Sequence, residues 1–202
     1  MSKKKLFCDN WEFSKQSYGT EYSDGFDWKA VDIPHDYLIG NTKNLYETST
    51  GWYRKNFDCL KKPETLYSVR FEGVYMDSAV FVNGVLAGEW KYGYSTFEFD
   101  ITEQLKDGEN LIAVRVNYKS PNSRWYSGAG IYRNVWLKET PLTHFLPDGI
   151  YISTNDGVIT VTDAEGNIAA ESISPAIAAD SGVIPPAIRK NRIRLDKEPV
   201  LR

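Results

Sequence analysis

The sequence predicts an all-β protein, an antiparallel sandwich or barrel, on three observations. At least seven short strand-like runs lie between residues 28 and 138, with turn signals between them. Two of these runs, Ser78–Val82 and Val85–Ala87, are joined by Asn83-Gly84, a strong hairpin signal because both turn residues accept positive φ. Nowhere does an apolar stripe keep the 3.6-residue period of a long helix.

Taken in order, residues 6–28 are aromatic and polar by turns and read as loops and short extended pieces, broken by Gly19 and Gly25. Trp28 to Ile33 alternates and is stopped by Pro34, after which His35-Asp36-Tyr37 forms a turn. Residues 38–50 are loop-like. Trp52 to Phe57 is a strand, and Leu66 to Phe71 another, with Tyr67, Val69 and Phe71 on one face. The hairpin follows, then a strand from Ser95 to Phe99. Asp100 to Leu105 reads as one capped helical turn, ended by Asp107-Gly108. Asn110 to Val116 is a strand in which Ile112, Val114 and Val116 share a face. Gly128 and Gly130 then shape a loop, and Ile131 to Leu137 reads as the next strand, with Ile131, Arg133, Val135 and Leu137 on one side.

Composition shifts after Thr140-Pro141, so the domain is placed at residues 1–140. Residues 141–202 read as the start of a second β unit or a mobile tail. Ile150–Ile152 and Val158–Val161 are its candidate strands, and an Ala-, Ser-, Gly- and Pro-rich stretch follows over 163–186.

A net charge of -3 over 202 residues lacks the basic footprint of a nucleic-acid binder. No apolar run approaches the ~20 residues of a membrane span. The opening Met-Ser-Lys-Lys-Lys-Leu-Phe-Cys-Asp has no apolar run behind its basic start, so the expected location is cytoplasmic. There Cys8 and Cys59 are expected to be reduced thiols. Cys8, His35, Cys59 and His144 have no metal-ligand spacing, and no cofactor is called for.

Candidate chemistry is sparse. His35-Asp36 invites a catalytic reading, but no Gly-x-Ser-x-Gly elbow accompanies it, and the pair is expected to pin the turn after Pro34. Glu72, Asp77, Glu89, Glu98 and Glu109 flank strands or turns and read as solvated faces. Two aromatic loops stand out in a chain with 14% aromatic residues: Arg124-Trp125-Tyr126 and Trp90-Lys91-Tyr92-Gly93-Tyr94. An aromatic face beside fixed donors and acceptors suits a sugar ring, and the same residues also suit core or corner filling.

Six motifs in order carry a resemblance. They are Ile33-Pro34-His35-Asp36, Gly51-Trp52-Tyr53-Arg54-Lys55, Phe71-Glu72-Gly73-Val74, Val82-Asn83-Gly84, Gly93-Tyr94-Ser95-Thr96-Phe97 and Gly128 through Leu137. Over roughly residues 8–139 the chain resembles the N-terminal sugar-binding domain of family 2 glycoside hydrolases, the β-galactosidase, β-glucuronidase and β-mannosidase group. The resemblance implies a jelly-roll β-sandwich of the galactose-binding-domain type. It also implies a parent enzyme that hydrolyses terminal β-glycosides with retention, using two glutamates on a downstream (β/α)8 barrel. Neither the barrel nor its Asn-Glu motif has a counterpart in these residues, so catalysis by this chain alone is not expected.

The resemblance further implies that two loops reach the terminal sugar. One precedes the Gly-Ile-Tyr-Arg stretch. There Arg124, with Asn122 nearby, holds the slot where relatives often place an acid, and Trp125 and Tyr126 follow. The other runs from Glu47 to Thr50 and includes Thr48. Arg133 is expected to pair internally. The implied partners are a terminal β-linked sugar such as galactose, the downstream domains of the parent, and a second copy in a homo-oligomer. The alternatives are a free-standing carbohydrate-binding module and a structural interaction domain.

Overall fold

The protein is described by a computed structural model covering residues 2–142, 144, 149–155, 158–163 and 167–173, the side chains of 155 and 169–173 excepted. It divides into two units, Met1–Leu142 and Thr143–Arg202.

The first unit is a two-sheet sandwich built from β1 (Lys3–Leu6), β2 (Trp11–Gln16), β3 (Lys29–Val31), β4 (Ser49–Cys59), β5 (Thr65–Phe71), β6 (Ser78–Val82), β7 (Val85–Trp90), β8 (Phe97–Asp100), β9 (Gly108–Tyr118) and β10 (Val135–Pro141). One sheet runs β3-β2-β4-β9-β6-β7 and the other β1-β10-β5-β8. All their pairings are antiparallel. Among the described residues there is no helix.

Period-two alternation explains the core. From the larger sheet Phe13, Tyr53, Val80, Ile112, Val114 and Val116 point inward, and from the smaller Tyr67, Val69, Phe71, Phe97 and Val135 meet them in one buried cluster. Each such side chain contributes about 1.5–3 kcal/mol by leaving water. The Asn83-Gly84 hairpin forms as expected, with φ of 51° and 81°. Asp100 caps the turn that follows it by accepting from Thr102 N at 2.8 Å, and Leu105 N closes one turn on Ile101 O at 3.1 Å. Cys8 and Cys59 are free and buried.

Three readings are corrected. Residues 6–28 begin at the last residue of β1 and contain a full six-residue strand, β2. The aromatic segment that follows β2 packs on the outer face of the larger sheet: Tyr22 meets the Trp52 ring edge-on at 5.4 Å, and the Trp52 indole N–H reaches Thr20 O at 2.8 Å. Trp52 is therefore buried on the face opposite Tyr53, which hides the alternation of β4. Second, the strand read from Ile131 begins only at Val135. Residues 131–134 are irregular because Ile131 O is taken by His35 N and Asn134 O by Glu72 N. Third, Arg133 is exposed. Its guanidinium carbon stands 5.7 Å from the centre of the Tyr132 ring, and no carboxylate lies within salt-bridge reach among the described residues.

The carboxylates are less uniform than expected. The Glu98 side chain is only 18% exposed: it accepts from Lys138 Nζ at 2.7 and 2.9 Å and from Ser68 Oγ at 2.6 Å. Burial alone would raise its pKa, but Lys138, Ser68 and Arg70 outweigh that and hold it below the usual range.

The second unit contains an antiparallel sheet ordered β11 (Tyr151–Asn155), β12 (Val158–Thr162), β13 (Ile168–Ile173). The first two correspond to the expected pair. The third falls in the Ala-rich stretch, where Asp163 accepts from Asn167 N at 2.7 Å and turns the chain back. The rest of the tail reading, residues 174–202, lies outside the described residues.

Candidate functional site

The antiparallel pairing of β4 with β9 defines two ends of the sandwich, one at Ser49↔Tyr118 and the other at Cys59↔Gly108. Four loops gather at the Ser49 end: residues 35–48, 72–77, 91–96 and 119–134. They are held together by side chains that sit far apart in sequence.

Asp36 is the centre of that network. Its carboxylate accepts from Leu38 N at 3.0 Å and Ile39 N at 3.3 Å, which pins the turn after Pro34. It also accepts from Ala129 N at 3.2 Å, and from the Tyr126 hydroxyl at 2.7 Å to each oxygen. Four of these bonds end on Oδ1, so Asp36 acts as a clasp between the turn and the Tyr126 loop. Burial first, then the bond to Asp36, raises the Tyr126 pKa, so the phenol stays protonated and donating. The neighbouring His35 Nδ1 lies 2.9 Å from the buried Tyr53 hydroxyl. Burial lowers the His35 pKa, with the Asp36 charge opposing it. The expectation that His35-Asp36 serves the turn is thus met, and Asp36 also reaches the loop before β10.

That loop is seated by backbone as well. His35 N donates to Ile131 O at 2.8 Å and Tyr37 N to Ala129 O at 3.0 Å, while Tyr75 and Gly130 exchange both their N–H···O bonds at 2.9 Å. Gly130 has φ of 121°, and a Cβ there would strike the Tyr53 hydroxyl and the His35 carbonyl. Gly130 is therefore where the loop before β10 packs onto the clasp.

The five residues singled out from sequence lie in this cluster, but in two different states. Three are engaged. Thr48 Oγ1 donates to Ser120 O at 3.3 Å and accepts from Ser120 N at 3.0 Å, tying the two loops together. Asn122 Nδ2 donates to Lys119 O at 2.7 Å, and its Oδ1 accepts from the Tyr75 hydroxyl at 3.2 Å. Tyr126 is held by Asp36. The other two, Arg124 and Trp125, face solvent, and Trp125 is 75% exposed. Its backbone is nonetheless fixed, since Ser123 Oγ accepts from Trp125 N at 3.0 Å and donates to Trp125 O at 2.7 Å. Exposed Tyr46 stands edge-on to Tyr126 at 6.4 Å. Tyr118 is fully buried nearby, with a hydroxyl that meets no partner among the described residues. The roles of Asp36 toward Tyr126 and of Tyr75 toward Asn122 were not visible in the sequence. The Pro-His-Asp turn was a signal for the first, and nothing signalled the second.

The two loops that the resemblance implies for the sugar are tied together at this end of the sandwich through Thr48 and Ser120, and comparison decides the family. A profile described as glycosyl hydrolases family 2, sugar binding domain, matches residues 11–141. The chain belongs to this family. Among its relatives, a β-galactosidase of Bacteroides ovatus is 44% identical over 142 residues, which cover 64% of this chain and 17% of that enzyme. A β-galactosidase of Thermoanaerobacter pseudethanolicus is 33% identical over 215 residues, covering 95% of this chain and 29% of the relative. The crystal structure of a glycosyl hydrolase family 2 member from Bacteroides cellulosilyticus superposes with a TM-score of 0.69 at 29% identity, over 84% of this chain and 28% of that one. The jelly-roll sandwich of the family 2 sugar-binding domain is thus the fold of residues 11–141. The chain spans 17% and 29% of the lengths of these two curated relatives.

Proposed function

We propose that this family 2 sugar-binding domain serves a β-galactosidase-like glycoside hydrolase, forming one wall of the site for a terminal β-linked sugar. The retaining pair of carboxylates would come from the rest of that enzyme, and this chain would not hydrolyse glycosides alone. The observation that carries the reading is Trp125: a large aromatic, 75% exposed, on a loop clamped by Asp36 and Ser123. Folding does not require that exposure, whereas a sugar's apolar C–H face does. Arg124 beside it supplies a fork of N–H donors for hydroxyls, and Thr48, Asn122 and Tyr126 keep the two loops in register.

The test is a titration of the 202-residue chain with galactose at millimolar concentrations, followed by NMR. Shifts centred on Arg124 and Trp125 that vanish in Trp125→Ala support the reading. Saturating galactose with no shift at these residues overturns the sugar wall. Turnover of a chromogenic β-galactoside that persists through repurification overturns the non-catalytic role.

A further inference from the structure

The loop from Lys91 to Thr96, between β7 and β8, is the second place where this end of the sandwich exposes aromatic surface. Tyr92 is 62% and Tyr94 53% exposed, and the two rings stand edge to face at 5.8 Å. Neither exposure follows from a loose loop. The Tyr132 hydroxyl donates to Gly93 O at 2.8 Å, and the Tyr75 ring packs on Gly93 where a Cβ would collide with it. Lys91 Nζ bonds to Asp77 at 2.6 Å, and Asp77 N donates to Lys91 O at 3.3 Å. Both tyrosines are therefore displayed on a clamped support, so little order has to be gained when something binds them.

The support is continuous with the Trp125 wall. Tyr94 lies against Tyr75 at 5.0 Å between ring centres, and the Tyr75 hydroxyl donates to Asn122 at the root of the Arg124–Trp125 loop. The Tyr75 backbone is bridged to Gly130 at the far root of the same loop.

We propose that Tyr92 and Tyr94 form a second sugar-stacking platform, which takes an inner residue of a β-linked oligosaccharide whose terminal residue lies on Trp125. This rests on the terminal-sugar reading above. A sugar suits the surface better than a protein partner does. The rings carry hydroxyl tips and are flanked by the solvated Lys91–Asp77 pair, by Ser95 and by Thr96, whereas the centre of a protein interface is depleted of charge.

The experiment titrates the 202-residue chain with galactose and with β-1,4-linked galactotetraose, in the unmodified protein and in a Tyr92→Ala/Tyr94→Ala variant. The tetraose is expected to bind about tenfold tighter than galactose. The double variant should lose that gain while its galactose affinity stays unchanged. A Tyr92→Phe/Tyr94→Phe control should keep the gain, since both rings remain. Equal affinity for the two sugars in the unmodified chain overturns the platform and leaves the Trp125 wall standing. Undiminished tetraose affinity in the alanine variant does the same and assigns the tyrosines to a protein contact. If neither sugar binds, the terminal-sugar reading falls and the platform falls with it.

Discussion

At the end of the sandwich where Cys59 pairs with Gly108, amide side chains close the turns; at the end where Ser49 pairs with Tyr118, aromatic rings do. The first end is tied by two asparagines, and Gln104 Oε1 is its one buried side-chain oxygen without a partner among the described residues. Asn110, almost fully buried, accepts from Lys106 N and from Asn83 Nδ2, and donates to Lys106 O and Gly108 O, all within 3.0 Å. Asn83 in turn donates to Gln104 O at 2.8 Å and accepts from Leu111 N at 3.0 Å. Short polar side chains here stand in for the water that turn backbone would otherwise need. The second end uses the same device at Asp36, Thr48, Asn122 and Ser123, and in addition turns large aromatic side chains to the surface. Trp125, Tyr92 and Tyr94 add little to the fold and are nonetheless held in place. The difference separates residues that close a sandwich from residues that a closed sandwich presents.

Substitutions should divide along the same line. The largest effect on stability is expected from Asn110→Ala, which strands buried donors and acceptors and costs about 3 kcal/mol. Denaturant unfolding measures the loss, and sugar titration of the folded fraction should be unchanged. Asp36→Asn comes next, at about 2 kcal/mol, because the amide cannot accept at both positions. Unlike the first variant it should also weaken sugar binding, since it loosens the Trp125 loop; unaltered binding would place the clasp outside the wall.

A pH scan sharpens the contrast further. His35 has its pKa lowered from 6.5 by burial, so the unfolded chain takes up the proton first. Stability present above about pH 6.5 should fall as pH drops through that range toward the folded value. Thermal melts of the unmodified chain and of His35→Asn should diverge there, the variant losing less. Glu98, held below 4.5, gives a separate acid loss at lower pH that both proteins should share. The smallest stability effect belongs to Trp125→Ala, within about 0.5 kcal/mol, the usual range for an exposed site. That variant should nevertheless abolish galactose-induced shifts.

Much of the fold was legible because β-sheet pairing writes itself locally. The alternation of Tyr67, Val69 and Phe71 and the Asn83-Gly84 turn each need only a few neighbouring residues. Legibility failed where a non-local contact overrode the local pattern. Trp52 is buried by a crossing segment some thirty residues earlier, and the alternation of Ile131 with Val135 persists although His35 and Glu72 take the backbone groups a strand would use. The site divides in the same way. The aromatic loop at Trp125 was recognisable from composition, and its family motif from residue order. That Asp36 would hold Tyr126, ninety positions on, was not, because neither residue alone differs from a common turn or loop residue.

The reciprocal backbone pair between Tyr75 and Gly130 stands outside every named strand. Its two amide protons are shielded by a single contact and released by a single event, the parting of the loop before β6 from the loop before β10. Their hydrogen–deuterium exchange should therefore proceed in step. Slowing of both by a ligand, with the amides of the Asn83 turn unaffected, would time the opening of the wall on the protein's own backbone.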